Sequence, residues 1–291
     1  MTVGEFRVTV PATVANLGPG FDVFGMAVDL ANHVTVRLGG PPGMEIRGEG
    51  ETELPRDAAS LIFRTIAHLA REAGGGLPEF RLECDNAVPL QRGLGSSSAA
   101  IVAGLLIGDR LLGSDLGPDR LLELAADLEG HADNVAPALL GGVRIAYLSK
   151  DGWRTVALAP HADLRPVLLI PLEDRLPTED ARRVLPTHVS RADATFNLSR
   201  SALLVLALTE RPELLVDALE DRLHQQARLP LVPASRAVFE DLRDAGVPVC
   251  VAGAGPTLLA FESPGRPVRD AGAAWRTHRA TISAGASITE A

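Results

Sequence analysis

Residues 89–100 read Pro-Leu-Gln-Arg-Gly-Leu-Gly-Ser-Ser-Ser-Ala-Ala, and no other stretch restricts the fold of this 291-residue chain as tightly. An alternating segment, Phe80–Cys84, precedes it, and an apolar run at helical spacing, Ser96–Leu112, follows it. The chain is expected to pass here from a strand through a glycine loop into a helix. Gly93 and Gly95 open backbone dihedrals closed to other residues and let main chain approach a ligand. Ser96, Ser97 and Ser98 then fall in the first helical turn, where free N–H groups and the helix dipole favour an anion. Their hydroxyls suit phosphate or Mg²⁺ as well. The plainer alternative is a glycine turn with serine caps. The combination of proline, spaced glycines, three serines and paired alanines favours the anion site.

An anion here must be held without lysine. Of 28 basic residues only Lys150 is a lysine, and it sits in the polar turn Ser149–Gly152. A Walker-type loop is thereby excluded, and a Schiff-base mechanism has Lys150 alone to use. Anionic ligands fall to arginines, backbone N–H groups or a metal ion. Thr178 and Arg182 are four apart and share a face if Leu176–Arg183 is helical. Arg228 follows the run Asp221–Ala227. Guanidinium forks clamp carboxylates, although a lone arginine is more often a surface charge.

Three further segments bear on chemistry. Pro11–Asp22 places Asn16 and Asp22 on a proline- and glycine-punctuated turn after a strand. Such a turn can orient a small polar substrate, and turn chemistry alone is the competing explanation. Glu129–Gly142 gathers Glu129, His131, Asp133 and Asn134 at a helix end, before an apolar stretch. Glu129 can complete a Mg²⁺ shell, and Asp133 can bind an amine or accept a hydroxyl proton. A solvated loop is the alternative, and zinc is not expected because His131 has no partner at ligand spacing. Gly253-Ala-Gly-Pro-Thr257 follows an apolar strand and suits either a backbone–ligand contact or a packing corner.

Along the chain, Glu5–Val10, Asn32–Leu38, Gly142–Leu148, Thr155–Leu158 and Arg165–Ile170 read as strands. Ala58–Ala73, Asp119–Leu128, Thr178–Leu185, Ala192–Leu208, Pro212–Leu223 and Ala234–Ala245 read as helices. Pro248–Phe261 reads as strand, turn, strand, and Arg279–Ile288 as a closing strand. The expected class is α+β in two parts, 1–155 and 156–291. The opening residues run straight into an alternating strand, apolar runs stop short of a membrane span, and there are two cysteines. A cytoplasmic chain without a membrane partner is expected. A net charge of −9 argues against nucleic acid.

Taken in order, the four segments resemble the homoserine kinase branch of the GHMP kinase superfamily, over nearly the whole chain. The glycine–serine loop resembles the superfamily in general. His131–Gly142 and the Thr178/Arg182 pattern resemble the homoserine kinases in particular. The resemblance implies an N-terminal half like ribosomal S5 domain 2 and a ferredoxin-like C-terminal half. It implies transfer of the ATP γ-phosphoryl group to the side-chain hydroxyl of L-homoserine, with Mg²⁺, for threonine biosynthesis. Pro89, Leu90, Gln91, Arg92, Gly93, Leu94, Gly95, Ser96, Ser97, Ser98 and Ala99 would hold ATP, and Ser97 with Glu129 the Mg²⁺. Asn16, Asp22, His131, Asp133, Thr178, Arg182, Arg228 and Gly253 would surround homoserine. Asp133, Asn134, Glu129 and Arg182 would serve catalysis. Small-molecule substrates are the implied partners, with a homodimer as the implied assembly.

Charge agrees with this reading, since a zwitterion wants a carboxylate for its ammonium (Asp22 or Asp133) and an arginine for its carboxylate (Arg182 or Arg228). Relatives such as mevalonate kinase place a lysine beside an aspartate base. None is available here, which favours catalysis by positioning and charge neutralisation. The chain departs from the family pattern at Ala252, where serine is common, and at Gln91-Arg92, where smaller residues are. A sugar or isoprenoid kinase, a non-catalytic ligand sensor and a structural protein are the competing classes. The arginine-paired site, the intact loop and the negative charge stand against them in turn.

Overall fold

The computed structural model describes residues 4–290. Its first layer is built from β1 (Glu5–Ala15), β2 (Phe24–Leu38), β3 (Gly43–Gly48), α1 (Leu61–Ala73), β4 (Phe80–Asn86), α2 (Ser96–Leu112), α3 (Pro118–Glu129), α4 (Val135–Leu140), β5 (Val143–Ser149) and β6 (Gly152–Leu158). The chain continues through β7 (Pro166–Pro171), α5 (Thr178–Arg183), α6 (Arg191–Thr209), α7 (Leu215–Ala218), α8 (Gln225–Arg228), α9 (Pro233–Asp244), β8 (Val249–Val251), β9 (Leu258–Phe261), β10 (Trp275–Arg279) and β11 (Ser287–Glu290). This is an α+β architecture with two sheets. One has the order β11-β1-β2-β4-β3, with β5 on the far end of β2 and β6 on β5; the other has the order β10-β7-β9-β8.

β2 is long enough to serve two partners. His33–Leu38 pairs with β4 and Phe24–Met26 with β5. β1 continues past Pro11 because the register shifts between Pro11 and Ala12. A proline, which cannot donate to the ladder, is tolerated at such a bulge. The strand therefore delivers Ala15 and the Asn16–Asp22 turn directly into the cleft.

α2 is apolar on all sides, with Ile101, Val102, Leu105 and Ile107 at 2% exposure or less. It is the central helix, packed between the first sheet and α1. A Cβ on its Gly104 would fall 2.7 Å from the Cβ of Thr65 in α1, so glycine sets that helix–helix distance. A second apolar cluster joins Val14, Leu17 and Met26 to Leu168, Leu204, Leu208 and Cys250. Each fully buried leucine in it contributes about 1.5–3 kcal/mol relative to exposure. This shared core fixes the two parts of the chain against each other, and the cleft opens along their junction.

Several elements differ from the sequence reading. Residues 279–288 are not one strand: β10 ends at Arg279 in the second sheet and β11 begins at Ser287 in the first. Between them lie the isolated bridges Val28–Ile282 and Gly141–Ala284. β11 covers the outer edge of β1, which would otherwise present unpaired N–H and C=O groups. The first sheet thus draws a strand from the far end of the chain, and β6 runs through residue 155. Residues 212–223, read as one helix, form a 3-10 turn, the short α7 and a loop. α4, α8 and β10 carry too few residues for a periodicity to declare itself, and the alternation in β3 is weak.

Candidate active site

The loop before α2 is shaped by close approach. Gly93 and Gly95 both have φ 71°. A Cβ on Gly93 would lie 2.1 Å from the carbonyl oxygen of Ala252, and one on Gly95 would lie 2.1 Å from Thr13 Oγ1. Gly253 in turn packs on the carbonyl of Gly93. The Gly253–Thr257 segment is therefore a backing for the glycine loop, and it still lends Gly253 to the cleft wall. Gly95 caps α2, whose first N–H groups, at Ser96, Ser97 and Ser98, have no intrahelical acceptor and point where an anion would sit.

The three serines divide their work. Ser97 Oγ donates to Glu129 Oε2 at 3.0 Å, and Ser98 Oγ donates to Glu129 Oε1 at 2.9 Å. Ser98 is fully buried, so it orients the carboxylate from behind and does not line the cleft. Glu129 ends α3, and Gly130 at φ 89° turns the chain toward His131. Ser97 and Glu129 make a pair of hard oxygen donors at a helix N-terminus. That fits Mg²⁺, which takes one or two carboxylates and completes its shell with phosphate oxygens and water.

Arg92 lines the cleft only with its loop. Its guanidinium donates to the carbonyl oxygens of Pro171 (2.8 Å from Nε), Leu172 and Leu90, and burial holds its pKa below the usual arginine value. It braces the loop against the end of β7 and turns away from the helix N-terminus.

At the other end of the cleft the contacts are between side chains from distant segments. Asn16, at φ 71° and 3% exposed, accepts the Asp22 N–H at 3.0 Å and donates to the Gly253 carbonyl at 2.8 Å. Asp22 and Arg182 form a two-point pair at 2.9 and 3.2 Å. That bond is the main reason Arg182 holds its proton more tightly than usual. Asp133, 2% exposed, takes His131 Nδ1 at 2.6 Å. Burial opposes the charge on His131, but the Asp133 bond and the charges of Asp133 and Glu129 outweigh it, and its pKa is raised. Asn134 Oδ1 accepts from Thr13 Oγ1 at 2.8 Å. Arg228 is 2% exposed and donates to the Gly253 carbonyl at 3.1 Å. Burial, followed by the charge of Arg182, lowers its pKa to about 10, which leaves it cationic at neutral pH.

Apart from Ser98, every residue that the resemblance names for ATP, Mg²⁺, homoserine or catalysis lines one cleft of about 360 Å³. What that reading missed is an apolar recess of the same cleft, formed by Met44, Ile46, Leu54, Ile62 and Cys84 beside the expected Leu90, with Ser60, Asn32 and Asn86 among them. Met44 and Ile46 alternate in Gly43–Gly48, a weak signal that was there to be read. Leu54 sits in an acidic, irregular stretch that gave none. Thr13 and His224 were missed as well: Thr13 stands in the Pro11–Asp22 segment and His224 in the run before Arg228, but only tertiary contacts give either a role.

Residues 60–142 match the GHMP kinases N terminal domain family. The chain is 44% identical over 290 residues to a homoserine kinase of Streptomyces avermitilis, covering 97% of this chain and 95% of that one. It is 45% identical over 265 residues to a homoserine kinase of Synechococcus, covering 89% and 86%. The fold is similar to the crystal structure of homoserine kinase from Cytophaga hutchinsonii, with a TM-score of 0.83, 29% identity and coverage of 99% and 98%. Mevalonate diphosphate decarboxylase from Staphylococcus aureus shares the fold at a TM-score of 0.69 and 14% identity, over 99% of each chain.

Proposed function

The chain belongs to the homoserine kinase family of GHMP kinases, an ATP- and Mg²⁺-dependent phosphotransferase acting on the side-chain hydroxyl of L-homoserine, and we propose how its cleft divides that work. The observation that carries the assignment is the convergence of two unlike ends in one cleft. One end offers free backbone N–H groups with the Ser97–Glu129 pair; the other offers acidic and basic side chains in balance.

The N–H groups of Ser96–Ser98 and the backbone of Pro89–Gly95 take the nucleotide phosphates, and Ala99 closes that wall. The apolar recess of Met44, Ile46, Ile62 and Leu90 takes the base. Ser97 and Glu129 hold Mg²⁺, which when bound neutralises phosphate charge. Arg228 and Arg182 receive the amino acid carboxylate, and Asp22 with Asn16 receives the ammonium. In the free protein Asp22 and Arg182 satisfy each other. A zwitterion can therefore replace that pair charge for charge, with no stage at which either is left bare. Thr178 and Gly253 complete the wall around the substrate.

Asp133 is oriented by His131 through one oxygen, so its other oxygen is free for the homoserine hydroxyl. Phosphoryl transfer passes through a loose transition state, in which a hydroxyl held in line needs little help to lose its proton early. We therefore give Asp133 a holding role: it aligns the hydroxyl, and the proton leaves late, to a phosphate oxygen. Asn134, fixed by Thr13, keeps the Asp133 backbone in place.

The two-part division of labour puts the phosphate loop and most of the substrate site in residues 1–155. Residues 156–291 supply Thr178, Arg182, Arg228 and Gly253. A cytoplasmic setting is supported by two free, buried cysteines. No helix among the described residues is long and apolar enough to cross a membrane. A homodimer is the working assembly by fold analogy, open to test by sedimentation. The functional assignment is tested by coupled ADP release with Mg·ATP against L-homoserine, L-threonine, L-serine, mevalonate and galactose. A rate strongly favouring homoserine and abolished by EDTA is expected. Turnover with mevalonate or galactose instead would overturn the substrate.

A further inference from the structure

Behind the substrate end of the cleft lies a buried polar cluster, and Arg228 is the member of it that reaches the cleft. His224, 1% exposed, stands one helical turn before Arg228. Its Nε2 is 2.7 Å from the Gly18 carbonyl oxygen, and its Nδ1 is 3.1 Å from Arg228 Nη1. A carbonyl can only accept and a guanidinium can only donate. The two bonds together therefore require a neutral imidazole with its proton on Nε2. Burial acts in the same direction, holding the histidine below its ordinary pKa against the pull of Asp221.

Asp221 Oδ2 lies 3.7 Å from His224 Nε2, beyond hydrogen-bond reach, and both carboxylate oxygens are engaged by other donors. Its Oδ1 accepts from Asn197 Nδ2 at 2.8 Å and from the Leu223 N–H at 3.0 Å. Its Oδ2 accepts the N–H groups of His224 and Gln225 at 2.9 and 2.8 Å. It thus pins the start of α8, from which His224 and Arg228 project. Phe21, next to Asp22, packs against both: its ring centroid is 5.3 Å from the His224 ring and 5.3 Å from the Arg228 guanidinium carbon. The Gly253 carbonyl accepts from Asn16 and from Arg228 alike. His224 thereby closes a ring of hydrogen bonds that runs from the Asn16–Asp22 turn to Gly253, to Arg228 and back to the turn.

We propose that His224 is a positioning residue for the acceptor site, its neutral ring fixing the Arg228 guanidinium relative to the Asn16–Asp22 turn. It sets the spacing between the groups that take the substrate's carboxylate and ammonium, and so helps select an α-amino acid as the phosphoryl acceptor. This rests on the assignment of Arg228 and Asp22 to homoserine.

Two substitutions separate hydrogen bonding from packing. His224→Phe keeps a ring against Phe21 and loses both hydrogen bonds; His224→Gln loses the ring and keeps a neutral donor and acceptor. The Phe variant is expected to raise the homoserine KM about tenfold, with the ATP KM within about twofold and a smaller change in kcat. The Gln variant is expected to recover most of that loss. A wild-type homoserine KM in the Phe variant, or an equal rise in both KM values, would overturn the proposal. Arg228→Met serves as the reference. If it leaves the homoserine KM unchanged, the site assignment itself fails; if it raises the KM while His224→Phe does not, only the positioning role fails. Should the Phe variant not fold, ¹⁵N shifts of His224 in the wild-type protein decide at pH 7: the Nε2–H tautomer is expected, and an imidazolium or the Nδ1–H tautomer would contradict it.

Discussion

The two ends of the cleft hold charge by different means. At the end we assign to the phosphates the recognition elements are main-chain N–H groups, shaped by glycines whose φ angles and neighbours admit no side chain. The one arginine in that loop is turned away, onto carbonyl oxygens. At the end we assign to homoserine the elements are side chains from residues 16–22, 131–134, 178–182 and 228: Asp22 is answered by Arg182 and Asp133 by His131, while Arg228 rests on backbone carbonyls and the His224 ring. A backbone site is made by a single continuous segment and resists side-chain drift. A side-chain site depends on the packing that brings four segments together. A chain with one lysine illustrates why the first device suffices for phosphates.

The largest effect should follow from breaking the backbone end. Gly93→Ala places a methyl 2.1 Å from the Ala252 carbonyl at a φ that alanine disfavours. Displaced N–H donors should lower kcat/KM for ATP by about 100-fold or more, read by steady-state kinetics. The homoserine KM should change far less, and an equal change in both would blur the distinction between the ends.

Next in size, Arg228→Met removes a nearly buried cation from the side-chain end. The homoserine KM should rise about 30-fold or more, as for removing the cation that receives a substrate carboxylate in a desolvated site, with the ATP KM little altered.

Smaller still is a pH effect confined to the side-chain end. Burial raises the Asp221 pKa, but the Asn197 bond and the backbone N–H groups of His224 and Gln225 outweigh it, and folding lowers it. His224 is also lowered, chiefly by burial. Both groups bind protons more tightly when unfolded, so both stabilise the fold above their unfolded pKa values. That stability drains away as pH falls, first below the ordinary histidine value of 6.5 and then below the carboxylate value of 3.8. Thermal unfolding should show Tm falling from pH 7 toward about pH 3, and the slope below 3.8, the ordinary carboxylate value, should flatten in Asp221→Asn. A slope that stays the same would remove this cluster from the acid response.

The smallest change is expected for Arg92→Met, which removes the brace and none of the phosphate contacts. It should cost about 1–3 kcal/mol of stability by denaturant titration, with only a modest rise in the ATP KM.

The same contrast explains what could be read from the residues alone. The phosphate loop was legible because glycine spacing, serines and the helix start are neighbours in the chain. Asn16, Asp22, His131, Asp133 and Arg182 were legible one by one, through the resemblance to homoserine kinases. Their arrangement was not: nothing local says that Arg182 meets Asp22 across 160 positions, or that Arg92 faces away. His224 left no signal, because its role is a tertiary hydrogen bond to Gly18, 206 positions earlier. The return of β11 to the first sheet was hidden for the same reason, since edge pairing is decided by the partner strand.

Asp133 as a holding group is the central feature of a site that works by placement. Single-turnover kinetics of Asp133→Asn, with Mg·ATP saturating and homoserine varied, measure this. We predict a steep rise in the homoserine concentration needed for half-maximal rate, with the rate at saturation falling less than about tenfold. A fall of about 10²–10⁴ in that saturated rate, with the half-maximal concentration unchanged, is the signature of a general base and would contradict it.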